Sequence, residues 1–130
     1  MRRRWVALTP EEWVRQHVLV HLMKDRGCPL SLVAVERSLQ LNGLSKRADI
    51  VVHAHGAIPL LLVECKAPQV PLTQSVLEQA ARYNLVLRVP FLLVTNGLSH
   101  YACRIRHVDG AVDFLPDLPT FEAMERMLGR

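Results

Sequence analysis

The chain has 130 residues, half of them apolar and 22% charged, with a formal charge of +4 and a pI near 9.3. That length suits one domain with one core, residues 1–130, and the composition is that of a soluble globular protein. The mild basic excess permits a polyanionic partner but falls far short of histone-like composition, and no apolar run approaches the ~20 residues of a membrane span.

Thr9-Pro10-Glu11-Glu12 reads as a helix start: threonine as N-cap, proline at the first position, acids in the first turn. Trp13, Val14, His17, Val18, His21 and Leu22 then recur at helical spacing until Arg26-Gly27 and Pro29 end the pattern. Ser31 to Asn42 reads as a strand, Asn42-Gly43 as a turn, and Ser45-Lys46-Arg47 as a basic stretch leading into a second strand, Ala48 to Ala54. Gly56 turns the chain into a third strand, Pro59 to Lys66.

The segment Ala67 to Pro71 is a loop, and Thr73 caps a second helix reaching about Arg88. Phe91 to Thr95 is a short, wholly apolar strand suited to the centre of a sheet. Two further strands, near Tyr101 to Arg106 and Ala111 to Phe114, are joined at Asp109-Gly110, and Thr120 to Leu128 is a last helix. The helix between the third and fourth strands implies a crossover and one parallel pair, hence a mixed sheet with helices packed on it.

With only 5% aromatic residues, the core must be mostly Leu, Val, Ile and Ala. The three cysteines, Cys28, Cys65 and Cys103, form no C-x-x-C pair and leave one over in any pairing. This argues against a disulfide framework or zinc knuckle and for a reducing, cytoplasmic compartment. Arg2-Arg3-Arg4 imitates the start of a signal peptide, but the apolar stretch after it is short and turns acidic.

The residues with most chemical content are Asp49, Glu64 and Lys66. Strand alternation puts Glu64 and Lys66 on one face and Cys65 on the other, and Asp49 opens the neighbouring strand. Two carboxylates can hold a divalent cation, and a lysine beside them can act on water or phosphate.

Five segments in order carry a resemblance. They are Pro10 to Gln16, Lys46-Arg47-Ala48-Asp49-Ile50-Val51-Val52, Leu61-Leu62-Val63-Glu64-Cys65-Lys66-Ala67-Pro68, Gln79 to Asn84, and Val94-Thr95-Asn96-Gly97. Together they resemble the PD-(D/E)xK nuclease superfamily, and within it the N-terminal nuclease domain of type I restriction enzyme R subunits, as small stand-alone bacterial proteins. The resemblance spans about residues 9–115. It implies an α/β fold with a restriction-endonuclease-like αβββαβ core, a mixed sheet flanked by helices, followed here by a C-terminal hairpin and short helix.

The resemblance also implies roles. Asp49, Glu64 and the backbone carbonyl of Cys65 would bind Mg²⁺ or Mn²⁺. Lys66 would orient or help deprotonate the attacking water, or stabilise charge on the phosphate. Gln79 and Tyr83 match the Q-x-x-x-Y motif, one helical turn apart, and would touch the catalytic site or the DNA backbone. Glu12 would correspond to an additional acid that some relatives bring to the metal, although it and Glu11 also suit a helix N-terminus. Lys46 and Arg47 would contact phosphates, with a charged turn an equal reading.

Ala48 replaces the proline of the motif, and no G-x-x-x-x-G-K-[ST] loop is present, so the ATP-driven motor of the restriction subunits is missing. Relatives tend to carry more sequence before Arg2, which implies a shortened form.

Simpler readings stand beside these. His17 and His21 lack the glutamate of H-E-x-x-H, so core or interface histidines are expected, and His53-x-His55 reads as a solvated pair. Glu36 reads as a surface acid or ion-pair partner.

The expected function is metal-dependent hydrolysis of DNA phosphodiesters. The alternative is a non-catalytic nucleic-acid-binding or protein-interaction module on the same fold. A third reading is a subunit of a larger restriction or repair assembly, or a homodimer, supported if Leu98, Tyr101, Phe114 and Leu115 are exposed together.

Overall fold

The computed structural model describes residues 9–41 and 44–128, with the side chains of residues 37–41 and 44–46 outside the description. The expected features at Arg2–Arg4, at the Asn42-Gly43 turn and at the Lys46 side chain therefore lie outside the described residues.

Helix α1 spans Pro10–Lys24 and is capped as the sequence dictates, Thr9 Oγ1 accepting from the Glu12 N–H at 3.1 Å. Its buried stripe is narrower than the apolar pattern: Val14, Val18 and Leu22 are buried, whereas Trp13 and His17 are exposed. Such fully buried side chains each contribute about 1.5–3 kcal/mol. Leu30–Leu32 form a single 3-10 turn rather than the start of a strand, and strand β1 is Val33–Leu41.

Strand β2, Leu44–Ala54, begins earlier than expected. The register Leu41↔Leu44 through Arg37↔Ala48 carries Ser45, Lys46 and Arg47 into the ladder, so the basic stretch is strand, not turn. Strand β3 is Ile58–Cys65, and the loop after it leads to helix α2, Gln74–Leu87, capped by Thr73. Strands β4, Phe91–Thr95, β5, His100–Ile105, and β6, Val112–Leu115, precede helix α3, Phe121–Met127.

The six strands form one sheet in chain order. Every neighbouring pair is antiparallel except β3 and β4, which run parallel because α2 crosses between them. This is the expected αβββαβ core with its added hairpin and helix.

Each face of the sheet carries its own core. Val14, Val18 and Leu22 of α1 and Phe121 and Met124 of α3 pack with Ile50, Val52, Leu61, Val63 and Phe91. Ala80, Ala81 and Leu87 of α2 pack with Ala48, Val51, Leu62, Leu92 and Val94 on the other face. β4 is buried throughout, as a doubly covered central strand requires.

Two polar devices tie helices to the sheet. Buried Asn84 donates from Nδ2 to the carbonyls of Val89 and Phe91 at 3.2 and 2.9 Å, pairing backbone of the α2–β4 connection and of the start of β4. Glu125 of α3 accepts from the His55 N–H at 2.8 Å and contacts that ring at the same distance, fixing α3 to the β2–β3 turn.

Candidate active site

The site lies where β2 leaves β3. The recorded ladder ends at Ile50↔Val63, and the next position of the register places Asp49 opposite Glu64. There the side chain takes over from the backbone, Asp49 Oδ2 accepting from the Cys65 N–H at 2.8 Å. β2 also loosens from β1 at this point. Val35↔Ile50 and Arg37↔Ala48 pair, but the Glu36–Asp49 position between them does not, and Glu36 has a left-handed φ of 52°. Strand alternation slips accordingly: Ile50 packs under α1, whereas both Ala48 and Val51 pack under α2.

Glu64 and Lys66 sit on one face of the end of β3, Lys66 Nζ 3.8 Å from Glu64 Oε2. The Lys66 N–H donates to the Thr95 carbonyl at 2.8 Å, which fixes the strand end against β4. Cys65 points the other way and is buried, as alternation requires, and burial pushes its thiol up to about 12. Burial also raises the Asp49 carboxyl above the usual aspartate range, and the negative charge of Glu64 adds to this. The Cys65 N–H, Arg15 and Lys66 oppose it.

A cleft of about 640 Å³ opens beside Asp49, lined by Thr9 to Glu12 and Arg15 of α1, by Glu36 and Arg47, and by Ala67. Glu12 therefore reaches the same cleft as Asp49, and so does Glu11. Glu12 is bonded to the Arg15 guanidinium and accepts from Gln16 Nε2 at 3.1 Å. Arg15 also meets Glu36 at 2.9 Å, and Arg47 lies 3.5 Å from Glu36. The guanidinium holds the Glu12 and Glu36 carboxyls below the usual range.

The other named residues fall elsewhere. Gln79 is exposed and Tyr83 half-buried on α2, and neither they nor Glu64 and Lys66 line the cleft. His17 lies against the Trp13 ring at 4.1 Å and His21 contacts Asp25 at 2.8 Å, so the pair does not act together on a metal. An apolar cavity of about 770 Å³ between α2 and β5–β6 lies away from Asp49 and includes Tyr101 and Phe114. Leu98, Tyr101 and Phe114 are exposed, but Leu115 packs on the α1-side core, so the four do not form one patch.

The donors fit a hard divalent cation. Asp49 and Glu64 offer carboxylate oxygens, the hard donors such an ion takes. Among the described residues no group of three or more His, Cys, Asp and Glu is placed to hold a metal ion. Glu36 is the surface ion-pair partner expected from the sequence, meeting Arg15 and Arg47. Nothing local marks Arg15, because it meets Glu36 only when α1 lies across the sheet.

Comparison with known proteins agrees with this architecture. The family model described as type I restriction enzyme R protein N terminus matches residues 10–119. Among solved structures, the chain is similar to a fragment of a protein assigned as an HsdR subunit of a type I restriction enzyme from Vibrio vulnificus, with 24% identity and a TM-score of 0.63. That match covers 95% of this chain and 26% of the other, so the chain spans about a quarter of its length. No curated protein matches. Among the described residues, no helix is long and apolar enough to cross a membrane. The structural likeness shows a restriction-endonuclease-like mixed α/β fold, and with most of its length matched by the family model, the chain belongs to the family of type I restriction enzyme R protein N-termini.

Proposed function

We propose that this chain is a Mg²⁺- or Mn²⁺-dependent deoxyribonuclease module of the restriction-enzyme type. The observation that supports the reading is that Asp49 accepts from the Cys65 N–H where β2 and β3 part, while Glu64 and Lys66 flank that same residue with their charged ends 3.8 Å apart. The family's association with restriction supports DNA as the substrate, as does the net charge of +4.

Asp49 and Glu64, with the Cys65 carbonyl, would hold the cation, and Glu12 lines the cleft that Asp49 also lines. When bound, the cation supplies positive charge at a phosphate oxygen and acidifies water. Lys66, kept in place by Glu64, orients the attacking water and offsets charge developing on the phosphate. Exposed Arg47, with Lys46, binds backbone phosphates, and Gln79 and Tyr83 on α2 contact the DNA backbone.

Labelled single- and double-stranded DNA incubated with Mg²⁺ or Mn²⁺ tests the reading against Asp49→Ala and Lys66→Ala proteins. Cleavage by the parent should fall at least a hundredfold in both variants. Lys66→Ala should cost about 1 kcal/mol of stability or less, since a partly exposed ion pair contributes little. Cleavage undiminished in the variants would refute the assignment. DNA binding with neither cleavage nor metal binding would leave the non-catalytic module.

A further inference from the structure

The α1 side of the sheet holds a second cavity, of about 460 Å³, within the size range of pockets that take small molecules. α1 separates it from the Asp49 cleft. Glu11, Glu12 and Arg15 line the cleft, whereas Trp13, His17 and His21 line the pocket, and the two share no lining residue. Buried Val14, Leu93, Ala102 and Leu118 give the pocket an apolar floor. Its polar lining is Arg26, the imidazoles of His17, His21 and His100, the buried Thr95, and a single acid, Asp117.

Arg26 is the odd group. It is partly buried, and its Nε is shut off from solvent without a hydrogen-bond partner. No acid among the described residues forms an ion pair with its guanidinium, and neighbouring Asp25 contacts His21 instead, at 2.8 Å. An arginine drawn out of water is ordinarily paired, because desolvating its charge and donors costs free energy unless an acceptor compensates. An unpaired arginine lining a cavity calls for an anion.

The rest of the lining selects the body that carries the anion. Trp13 is 48% exposed and lies against the His17 ring at 4.1 Å, an aromatic surface on which a planar ring can stack. Thr95 Oγ1 accepts from the Gly97 N–H at 3.0 Å and lies 2.7 Å from His100 Nδ1, which fixes that imidazole. Imidazoles beside a carboxylate offer both donors and acceptors, as the edge of a nucleobase requires.

We propose that this pocket binds a nucleotide: Arg26 takes the phosphate, the base stacks on Trp13, and His100 and Asp117 meet its polar edge. The phosphate belongs to a free deoxynucleotide or to the end of a DNA strand, which present the same group. Thr95 joins the pocket to the candidate active site, since its side chain lines the pocket and its carbonyl accepts from the Lys66 N–H at 2.8 Å. A strand end seated here adjoins the end of β3. Binding itself does not depend on the nuclease reading.

Calorimetric titration of the full chain with dAMP, deoxyadenosine and inorganic phosphate tests this without reference to cleavage. dAMP should bind about tenfold more tightly than either fragment, and Arg26→Gln should weaken dAMP about tenfold while leaving deoxyadenosine unchanged. In a Trp5→Phe protein, where Trp13 is the one indole left, dAMP should change the Trp13 emission with the same affinity. Arg26→Gln should keep the Tm of the parent or raise it, because it removes an unpaired buried donor. A merely structural arginine would lower the Tm and leave dAMP affinity as it was.

A tetranucleotide with a 5′-phosphate separates the two sources. Affinity well above that of dAMP, lost without the 5′-phosphate, identifies a strand end, and affinity at or below that of dAMP identifies the free nucleotide. No binding of dAMP at millimolar concentration overturns the proposal, as does dAMP binding that Arg26→Gln leaves unchanged. Phosphate binding as tight as that of dAMP overturns the nucleotide assignment. If Arg26→Gln does not fold, His100→Ala decides, weaker dAMP binding supporting the proposal and unchanged binding overturning it.

Discussion

Asp49 has two roles that its variants separate. Its carboxylate caps the Cys65 N–H at 2.8 Å, and its charge is held in a place where burial and Glu64 disfavour it. Asp49→Asn keeps an oxygen for the N–H and removes the charge, whereas Asp49→Ala removes both. In metal-free buffer at pH 7, Asp49→Asn should match or exceed the parent in stability. Asp49→Ala should fall below Asp49→Asn by about 2 kcal/mol, the cost of leaving a part-buried N–H unpaired. For a chain of 130 residues that difference is about 7 °C in Tm.

The pH dependence has a definite sign. A carboxyl whose pKa is raised by folding binds its proton more tightly in the native state. The metal-free parent should therefore lose stability as pH climbs from the ordinary aspartate value near 3.9 through the raised native one, and then level off. Asp49→Asn should lack that decline. Saturating Mn²⁺ should raise the Tm of the parent and of neither variant. Thermal melts across pH, with and without Mn²⁺, read all of this. Equal Tm values for Asp49→Asn and Asp49→Ala would refute the capping role, and a metal-free Asp49→Asn less stable than the parent would refute the unfavourable charge.

Asn84→Ala should cost about 2–3 kcal/mol in urea unfolding, since two buried carbonyls lose their donor; a loss below about 0.5 kcal/mol would show that they find other partners. Glu125→Ala should cost about 1–2 kcal/mol by detaching α3 from His55, with cleavage of DNA unchanged, and reduced cleavage at full stability would link α3 to the site. The three thiols are buried, with pKa values raised to about 11, 12 and 11 for Cys28, Cys65 and Cys103. All should resist a thiol-specific chromogenic reagent at pH 8 until the chain is unfolded, and stoichiometric labelling of the native protein would contradict that burial.

The first helix was legible because Thr9, Pro10 and Glu11-Glu12 act through local hydrogen bonds and charge, which need no tertiary partner. The mixed sheet was legible because a helix between two apolar strands leaves little choice but a parallel crossover. The start of β2 was not. Ser45-Lys46-Arg47 resembles a turn in composition, yet those residues pair with the edge strand β1, where charge is tolerated. Glu64 and Lys66 could be placed together by alternation alone. Arg15 and Glu36 could not, because their meeting depends on the packing of α1 and on a left-handed turn of backbone that glutamate does not advertise.

A sheet whose spatial order repeats the chain order has a consequence for synthesis. Each strand emerging from a ribosome finds its partner already made, and only the β3–β4 pair must wait for α2. Everything that lines the candidate cleft lies between Thr9 and Ala67. The acids and arginines of the site are thus assembled by the first half of the chain, and the later strands arrive to clamp a geometry whose parts are already in place.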